Sequence, residues 1–205
     1  MDYITCKPYS EESEIRRSRF IGEVIRVKSE EEMFSALASL RKKYQGATHI
    51  CYAAVFDILG NQARFSDDGE PSGTAGQPIL EALKGSGLKQ TLIAVVRYFG
   101  GVKLGAGGLV RAYSSSASQA LKNAPKVEAK CCDTYSLNLD FTLNKRAPSF
   151  FEKKGISVLS VSYAMDVEYR LAVPKGTEIL NTLREFVGGE PKLMQLETQY
   201  IEQEI

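Results

Sequence analysis

A cluster of glycines between two apolar segments constrains this chain more than any other feature of its sequence. Five glycines fall within the nine residues 100–108. Because glycine loses more backbone entropy on folding than any other residue, such a cluster indicates positive φ angles or a backbone that another group must approach closely. The apolar run 91–96 predicts a buried strand, and the apolar residues at helical spacing within 109–121 predict a helix. The glycines therefore predict a loop at the N-terminus of a helix.

The N-terminus of this helix offers a place for an anion. Free N–H groups and the positive end of the helix dipole attract negative charge there, and Arg97, Lys103 and Arg111 lie nearby in the sequence. The spacing fits no P-loop and no dinucleotide-binding loop, since the Lys-Ser/Thr pair of the first and the later acidic residue of the second are missing. Two interpretations stay open: an anion or nucleic-acid contact, and a tight turn whose glycines let the helix pack on the sheet.

Length, charge and cysteine content limit the class of protein. A chain of 205 residues can form one large domain or two small ones. With 26 basic and 25 acidic residues the net charge is +1, so any nucleic-acid binding must use a local patch. The four cysteines form no CxxC pair, and Cys131 and Cys132 are adjacent, which predicts reduced thiols. No apolar run reaches the roughly eighteen residues of a membrane span, and no signal-peptide core is present. We expect a cytoplasmic protein without a cofactor or membrane contact.

The hydrophobic pattern predicts an α+β fold with two domains, at residues 1–130 and 134–205. In the first, the pattern predicts strands at 20–27, 49–56, 62–66 and 91–96, and helices that begin after Ser29, before Ile79 and near Leu109. In the second, it predicts strands at 135–141, 156–163, 167–173 and 193–201, with helices at 144–154 and 179–187. That second order, βαββαβ, is the ferredoxin-like unit.

An acidic segment forms a second unusual feature. Asp67, Asp68 and Glu70 stand within four residues just before a predicted helix. Carboxylates at this density can bind Mg²⁺, and His49, the only histidine, could act beside Asp68 as a general base. The spacing lacks the regular ligands of an EF-hand, and the same residues form turns and cap helices. We therefore predict no metal site and no catalytic residue, and keep both as the alternative.

Arginines and an aromatic residue near predicted strands could contact nucleic acid. Arg16, Arg17 and Arg19 precede the first predicted strand, where they can hold phosphates or protect a solvated strand edge. Tyr98 could stack on a base or belong to the core. Cys51, two residues after His49, is expected to be a packed thiol.

Three segments of the chain resemble one known family. The segment 95–105, Val-Val-Arg-Tyr-Phe-Gly-Gly-Val-Lys-Leu-Gly, looks like the signature of the IMPACT family. The segments 67–76 and 17–21 look like its other blocks, and the length and second domain resemble the bacterial YigZ-type members. The resemblance covers essentially the whole chain.

The resemblance implies more than the residues alone predict. It implies an N-terminal α/β domain shared with ribosomal proteins and elongation factor G, including a left-handed βαβ crossover that general rules would not predict. It implies a ferredoxin-like C-terminal domain similar to the last domain of elongation factor G. It implies that eukaryotic relatives join the family domain to a separate N-terminal domain and restrain an initiation-factor kinase by competing for its activator. Because this chain has no room for that extra domain, the regulatory role is not expected to transfer. For bacterial members the resemblance implies a nucleic-acid or ribosome-linked function without an established reaction.

Three hypotheses follow. The first is a non-catalytic protein that binds RNA or the translation machinery through one face of the N-terminal domain. Its predicted contacts are Arg17, Arg19, Arg97, Tyr98, Gly100, Gly101, Lys103, Gly105, Gly107, Gly108 and Arg111. The second is a metal-dependent enzyme acting on a phosphorylated substrate, with the acidic segment as ligands and His49 as base. The third is a module that binds another protein. Convergence of the acidic and glycine-rich segments in one cleft would favour the enzyme, and an open basic surface would favour binding.

Overall fold

The computed structural model describes residues 2–205 and divides them into two compact units. One unit comprises residues 3–128 together with 204–205, and the other comprises Asp2 with residues 129–203. Both combine helices with sheets, which confirms the predicted α+β class. No helix among the described residues is long and apolar enough to cross a membrane.

The N-terminal unit is built on a five-stranded antiparallel sheet with three helices. The strands of this unit are β1 (Tyr3–Cys6), β2 (Tyr9–Ile15), β3 (Ser18–Arg26), β4 (His49–Val55), β5 (Ala63–Ser66) and β6 (Thr91–Tyr98). Its helices are α1 (Glu30–Lys43), α2 (Gly76–Ser86) and α3 (Ala106–Asn123). The sheet has the order β2-β3-β6-β4-β5, and β1 lies outside it. Because β3 and β4 are both antiparallel to β6, they run parallel to each other, and α1 connects them.

Two layers of apolar side chains explain the continuous apolar run in β6. Leu92 and Val96 belong to a cluster with residues of α1, whereas Ile93 and Val95 belong to a cluster with residues of α2 and α3. A strand covered on both faces has no polar side and reads as one apolar run. This central strand therefore ends where the glycine-rich segment begins, with helices on both sides of the sheet.

The first two strands were not predicted, whereas the second hairpin was. β2 alternates half-buried with exposed residues and contains three glutamates, so it lacks the apolar pattern of a buried strand. The predicted antiparallel pairing of the segments after His49 and Gln62 is confirmed by the β4–β5 register. Ser29 caps α1 as predicted, since its hydroxyl accepts a hydrogen bond from the amide of Glu32 at 3.2 Å.

The C-terminal unit has ferredoxin-like connectivity. Its elements are β7 (Lys126–Leu139), α4 (Phe141–Asn144), α5 (Ala147–Lys153), β8 (Ser157–Tyr163), β9 (Val167–Pro174), α6 (Leu180–Val187) and β10 (Lys192–Glu204). The strands have the order β10-β7-β9-β8, so β8 forms one edge. Phe151, Tyr169 and Leu183 lie in the core between the sheet and the helices. The helix predicted at 144–154 is α5, which carries Pro148 in its first turn, and the short helix α4 that precedes it was not predicted.

Candidate functional site

The loop after β6 lies against the turn between β2 and β3. The amide of Gly100 donates a hydrogen bond to the hydroxyl of Ser18 at 3.2 Å. A Cβ atom at Gly100 would lie 1.8 Å from the carbonyl oxygen of Arg17, so only glycine fits there. The structure therefore brings two of the sequence segments together, the arginine-containing turn and the glycine-rich loop.

The turn itself presents two exposed arginines. Ile15 pairs with Ser18 across the hairpin, which leaves Arg16 and Arg17 as its two central residues. Both have positive φ angles, 47° and 65°, as a type I′ hairpin turn requires. Both side chains are exposed, and within residues 2–205 neither forms an ion pair. Two free positive charges are thus fixed beside the glycine-rich loop.

The glycine-rich loop leaves the N-terminus of α3 open. Gly101 and Gly105 have positive φ angles of 83° and 71°, which explains glycine at these two positions. Gly105 is the N-cap of α3 and has no side chain to accept a hydrogen bond from the first helical amides. In the described part of the chain, no side chain accepts from the amides of residues 106–108. Lys103 and Arg111 are exposed on either side of this helix end in the sequence, and neither forms an ion pair there.

The acidic segment, by contrast, serves its own helix. The Asp67 carboxylate accepts hydrogen bonds from the amides of Gly73, Ala75 and Gly76 at 2.8 to 3.0 Å. Burial raises the pKa of Asp67, but these three amide hydrogen bonds outweigh it and lower the pKa below the usual value. Asp67 therefore satisfies the N-terminus of α2, as the capping interpretation of this segment predicts.

Asp68 connects the same loop to α1 and β4. Its carboxylate accepts a hydrogen bond from the amide of Ile50 and one from the guanidinium of Arg41, both at 2.7 Å. Its backbone oxygen lies 2.8 Å from Nδ1 of His49. Gly69 follows with a φ of 87°, so the chain turns sharply after Asp68. The loop is therefore tied down on both sides of this turn.

Glu70 closes the loop onto β6 and α3. Its side chain is buried, and Oε1 accepts from the guanidinium of Arg97 at 2.5 Å and from the hydroxyl of Tyr113 at 2.7 Å. Nε2 of His49 lies 3.8 Å from the same oxygen. Burial, together with the nearby Cys51 and Glu70, raises the pKa of Tyr113, which therefore stays a neutral hydrogen-bond donor. A buried carboxylate with these partners is a paired structural charge.

Three of the residues predicted to contact nucleic acid make contacts within the protein instead. Arg97 is only 5% exposed and pairs with Glu70, so it holds the acidic loop instead of a phosphate. Arg19 is exposed, but its guanidinium forms two hydrogen bonds to Glu12 on the neighbouring strand, which neutralises its charge. The ring of Tyr98 is half-buried with Arg19 over one face, 5.5 Å from the ring centre. The more exposed aromatic residue of the loop is Phe99, at 48%.

The residues that the alternative hypothesis names as metal ligands and catalytic groups also have partners within the protein. Each of the three carboxylates has its own partners, and among residues 2–205 no group of three histidine, cysteine or acidic side chains is arranged to hold a metal. His49 contacts the backbone of Asp68 as described above. Cys51 donates to the backbone oxygen of Asp67 at 3.0 Å, and burial raises its pKa to about 12, which leaves no reactive thiolate at neutral pH. Glu70 of the acidic segment meets Arg97 and Tyr113, which lie on either side of the glycine-rich loop in the chain, but these contacts are a buried ion pair and a hydrogen bond and show no common cleft.

Three residues of this region were not predicted. Tyr113 and Ser18 bind Glu70 and Gly100 as described, and the hydroxyl of Thr48 accepts from the amide of Phe99 at 3.0 Å. No sequence pattern marks these long-range contacts. Arg16 belongs to the arginine run that the sequence indicates as a phosphate contact, and the structure places it in the same turn as Arg17.

Comparison with known proteins shows the family to which this chain belongs. Residues 16–121 match the Impact N-terminal domain, which contains all three motif segments. The chain is a member of the IMPACT family, as its motifs predict. It is 36% identical to the IMPACT family member YvyE of Bacillus subtilis over 99% of its own length and 95% of that protein. It is 33% identical to YigZ of Escherichia coli, over 95% and 97% of the two chains.

Two further matches differ in extent. A crystal structure described as that of a hypothetical protein aligns with 96% of this chain and 98% of its own, with a TM-score of 0.63 and 32% identity. The protein named IMPACT homolog of Dictyostelium discoideum is 35% identical over 44% of this chain, which is 27% of that protein. YvyE and YigZ thus match this chain nearly end to end, whereas the Dictyostelium protein is matched over a part.

Proposed function

We propose that this protein binds RNA, free or within the ribosome, as a non-catalytic factor linked to translation. The observation that carries the proposal is the open N-terminus of α3 with free cations around it. We call this region the basic loop surface, and define it by Arg16, Arg17, Lys103, Arg111 and the amides of residues 106–108.

The chemistry of the basic loop surface suits a phosphate chain. Helix N-termini bind phosphate through their free amides and dipole, and exposed arginines and lysines neutralise further phosphates. Phe99 adds an exposed aromatic ring in the same loop, on which a base can stack. The net charge of only +1 restricts such binding to a local surface, which the fixed arginine turn supplies.

The acidic loop supports binding over catalysis. Its three carboxylates hold the amides of α2, Arg41 and Arg97, so they are committed to the fold. The link to translation rests on family membership and on the resemblance to elongation-factor domains. A protein acting there would reside in the cytoplasm.

Titration of labelled single-stranded RNA at several salt concentrations tests the proposal. Each neutralised phosphate contributes roughly 0.7 to the slope of log affinity against log salt for single strands. Lys103→Ala and Arg111→Ala should each reduce this slope by about one such step, without changing the melting temperature. Lys145→Ala removes an exposed lysine from α4's C-terminal end and serves as the matched control.

The outcomes separate the hypotheses. Binding that weakens in the two loop variants and not in the control supports the basic loop surface. Absence of binding at low salt, or binding unchanged when Lys103 and Arg111 are both replaced, overturns it and favours a protein partner.

A further inference from the structure

One aromatic ring beside the basic loop surface is exposed and yet held in place. β6 ends at Tyr98, and the ring of Phe99, directly after it, is 48% exposed. The amide of Phe99 donates a hydrogen bond to the hydroxyl of Thr48 at 3.0 Å. The next amide, that of Gly100, donates to the hydroxyl of Ser18 at 3.2 Å. The backbone is therefore fixed at Phe99 and at the residue that follows it.

A buried guanidinium packs against this ring. The guanidinium carbon of Arg97 lies 5.5 Å from the centre of the Phe99 ring, a distance at which a cation and an aromatic ring attract each other. Arg97 is 5% exposed and is fixed in turn by Glu70, whose Oε1 lies 2.5 Å from its Nη1. Phe99 thus needs little further ordering when a ligand packs on it, which lowers the free-energy cost of binding.

Phe99 lies on the same side of the sheet as the open N-terminus of α3. Arg97 faces this side, because its partner Glu70 also accepts a hydrogen bond from Tyr113 of α3. Successive strand residues point to opposite faces, and Tyr98 accordingly packs against the cluster that contains residues of α1. Phe99, which contacts Arg97, is therefore the aromatic residue of this loop that shares a side with the free amides at the start of α3.

We propose that Phe99 stacks on an unpaired base, so that the basic loop surface selects single-stranded over double-stranded nucleic acid. This stacking role rests on the proposed function and names the form of nucleic acid that the site accepts. The cations and helix amides alone would accept phosphates of either form. In a duplex, neighbouring base pairs cover both faces of each base, whereas a single strand leaves bases free to stack on a side chain.

Stacking and phosphate contacts respond differently to salt. The ring of Phe99 is uncharged and releases no counterions, so its contribution to affinity should not change with salt concentration. Lys103 neutralises a phosphate, so its contribution should fall as salt is added. Stacking is also tolerant of sequence, because every base has a π-face. The two kinds of contact can therefore be measured separately in one protein.

Three probes test the stacking role with the full chain. They are an RNA strand of mixed sequence, the same strand annealed to its complement, and an abasic phosphodiester chain of equal length. The unmodified protein should bind the single strand more tightly than the duplex, and at least about fivefold more tightly than the abasic chain, since stacking of one base contributes roughly that factor or more.

Phe99→Leu keeps an apolar side chain but removes the π-face. It should lower the affinity for the single strand at least about fivefold, and leave the salt slope and the affinities for the other two probes unchanged. Phe34→Leu is the matched control, because Phe34 is 54% exposed on α1, which packs on the other side of the sheet. It should change no affinity. Lys103→Ala, by contrast, should weaken all three probes and reduce the salt slope.

Phe99→Trp gives a second measurement that does not depend on the folding of Phe99→Leu. The chain contains no tryptophan, so the fluorescence of the introduced ring reports on this position alone. Binding of the single strand should quench this fluorescence, whereas saturation with the abasic chain should not. Thermal melts establish that each variant is folded.

The outcomes distinguish the stacking role from the proposed function. Equal effects of Phe99→Leu and Phe34→Leu, or tryptophan fluorescence that bound RNA leaves unchanged, overturn the stacking role, while RNA binding that depends on Lys103 still supports the proposed function. Equal affinity for the single strand and the duplex overturns the selection of single strands. Failure of all three probes to bind at low salt overturns both proposals.

Discussion

The N-termini of α2 and α3 present the same backbone problem and resolve it in opposite ways. Each helix follows a glycine-containing loop, and neither has an acidic residue in its first turn. At α2 the carboxylate of Asp67 accepts from the first amides. At α3 the cap is Gly105, which has no acceptor. A helix N-terminus whose amides bond to a side chain of the same protein serves the fold. A helix N-terminus whose amides have no such acceptor is available to a ligand.

The charges around the two helix ends follow the same division. The acidic residues beside α2 point to amides and cations of the protein itself, and Glu70 is buried with Arg97. The cations around α3, Lys103 and Arg111, face solvent. Loss of an acidic residue should therefore cost stability, and loss of a basic residue should cost binding. Two changes of acidic residues test the stability side of this division, and a third tests the glycines at the open end of α3.

The largest effect is expected at Glu70. Glu70→Ala leaves Arg97 buried without its partner, which should lower the free energy of unfolding by about 3–5 kcal/mol. Urea unfolding followed by circular dichroism measures the change. Glu81→Ala, an exposed position on α2, should stay within about 0.5 kcal/mol of the unmodified protein. A loss at Glu70 no larger than at Glu81 would contradict a structural role for the buried pair.

A smaller effect is expected at Asp67. Asp67→Asn removes the charge that accepts three amide hydrogen bonds, and should cost about 1–3 kcal/mol at neutral pH. Because folding lowers the pKa of Asp67, its contribution is full above the unfolded pKa of about 3.9 and disappears as the pH falls through the folded value. Unfolding at several pH values should therefore show the two proteins converging in acid. A difference that does not depend on pH would exclude the charge as its cause.

The smallest effect, and one of opposite sign, is expected in the first turn of α3. A Cβ atom at Gly107 meets nothing within 4 Å, and its φ is negative, so Gly107→Ala should stabilise the protein by about 0.5–1 kcal/mol. Gly105→Ala is the matched comparison, and should destabilise because its φ is 71°. Melting temperatures rank the two. Equal shifts in both variants would show that backbone geometry does not determine the response.

The fold could be predicted where burial imposes a pattern. β6 reads as a continuous apolar run because helices cover both faces, and α1 begins with a recognisable cap. β2 was missed because an edge strand with three glutamates has no apolar run. The turn at Arg16 and Arg17 was missed because it lacks the glycine or asparagine that marks such turns.

The site could be predicted only in part, because pairing depends on distant residues. Arg97 and Glu70 are 27 residues apart, and nothing in either segment indicates that they meet in the core. An arginine after a buried strand therefore looks like a surface contact. By contrast, the capping role of the acidic segment was open to prediction, because the segment leads directly into its helix, with Asp67 nine residues before Gly76.

The hairpin turn at Arg16 and Arg17 separates what is best for folding from what is best for recognition. Left-handed backbone costs roughly 1–2 kcal/mol for a residue with a side chain, and Asn-Gly would form the same turn with less strain. The more stable sequence at this corner is therefore one without positive charge. A design that raises the melting temperature by replacing Arg16 and Arg17 with Asn-Gly would remove two surface cations. A higher melting temperature after this change would therefore not indicate that binding is retained.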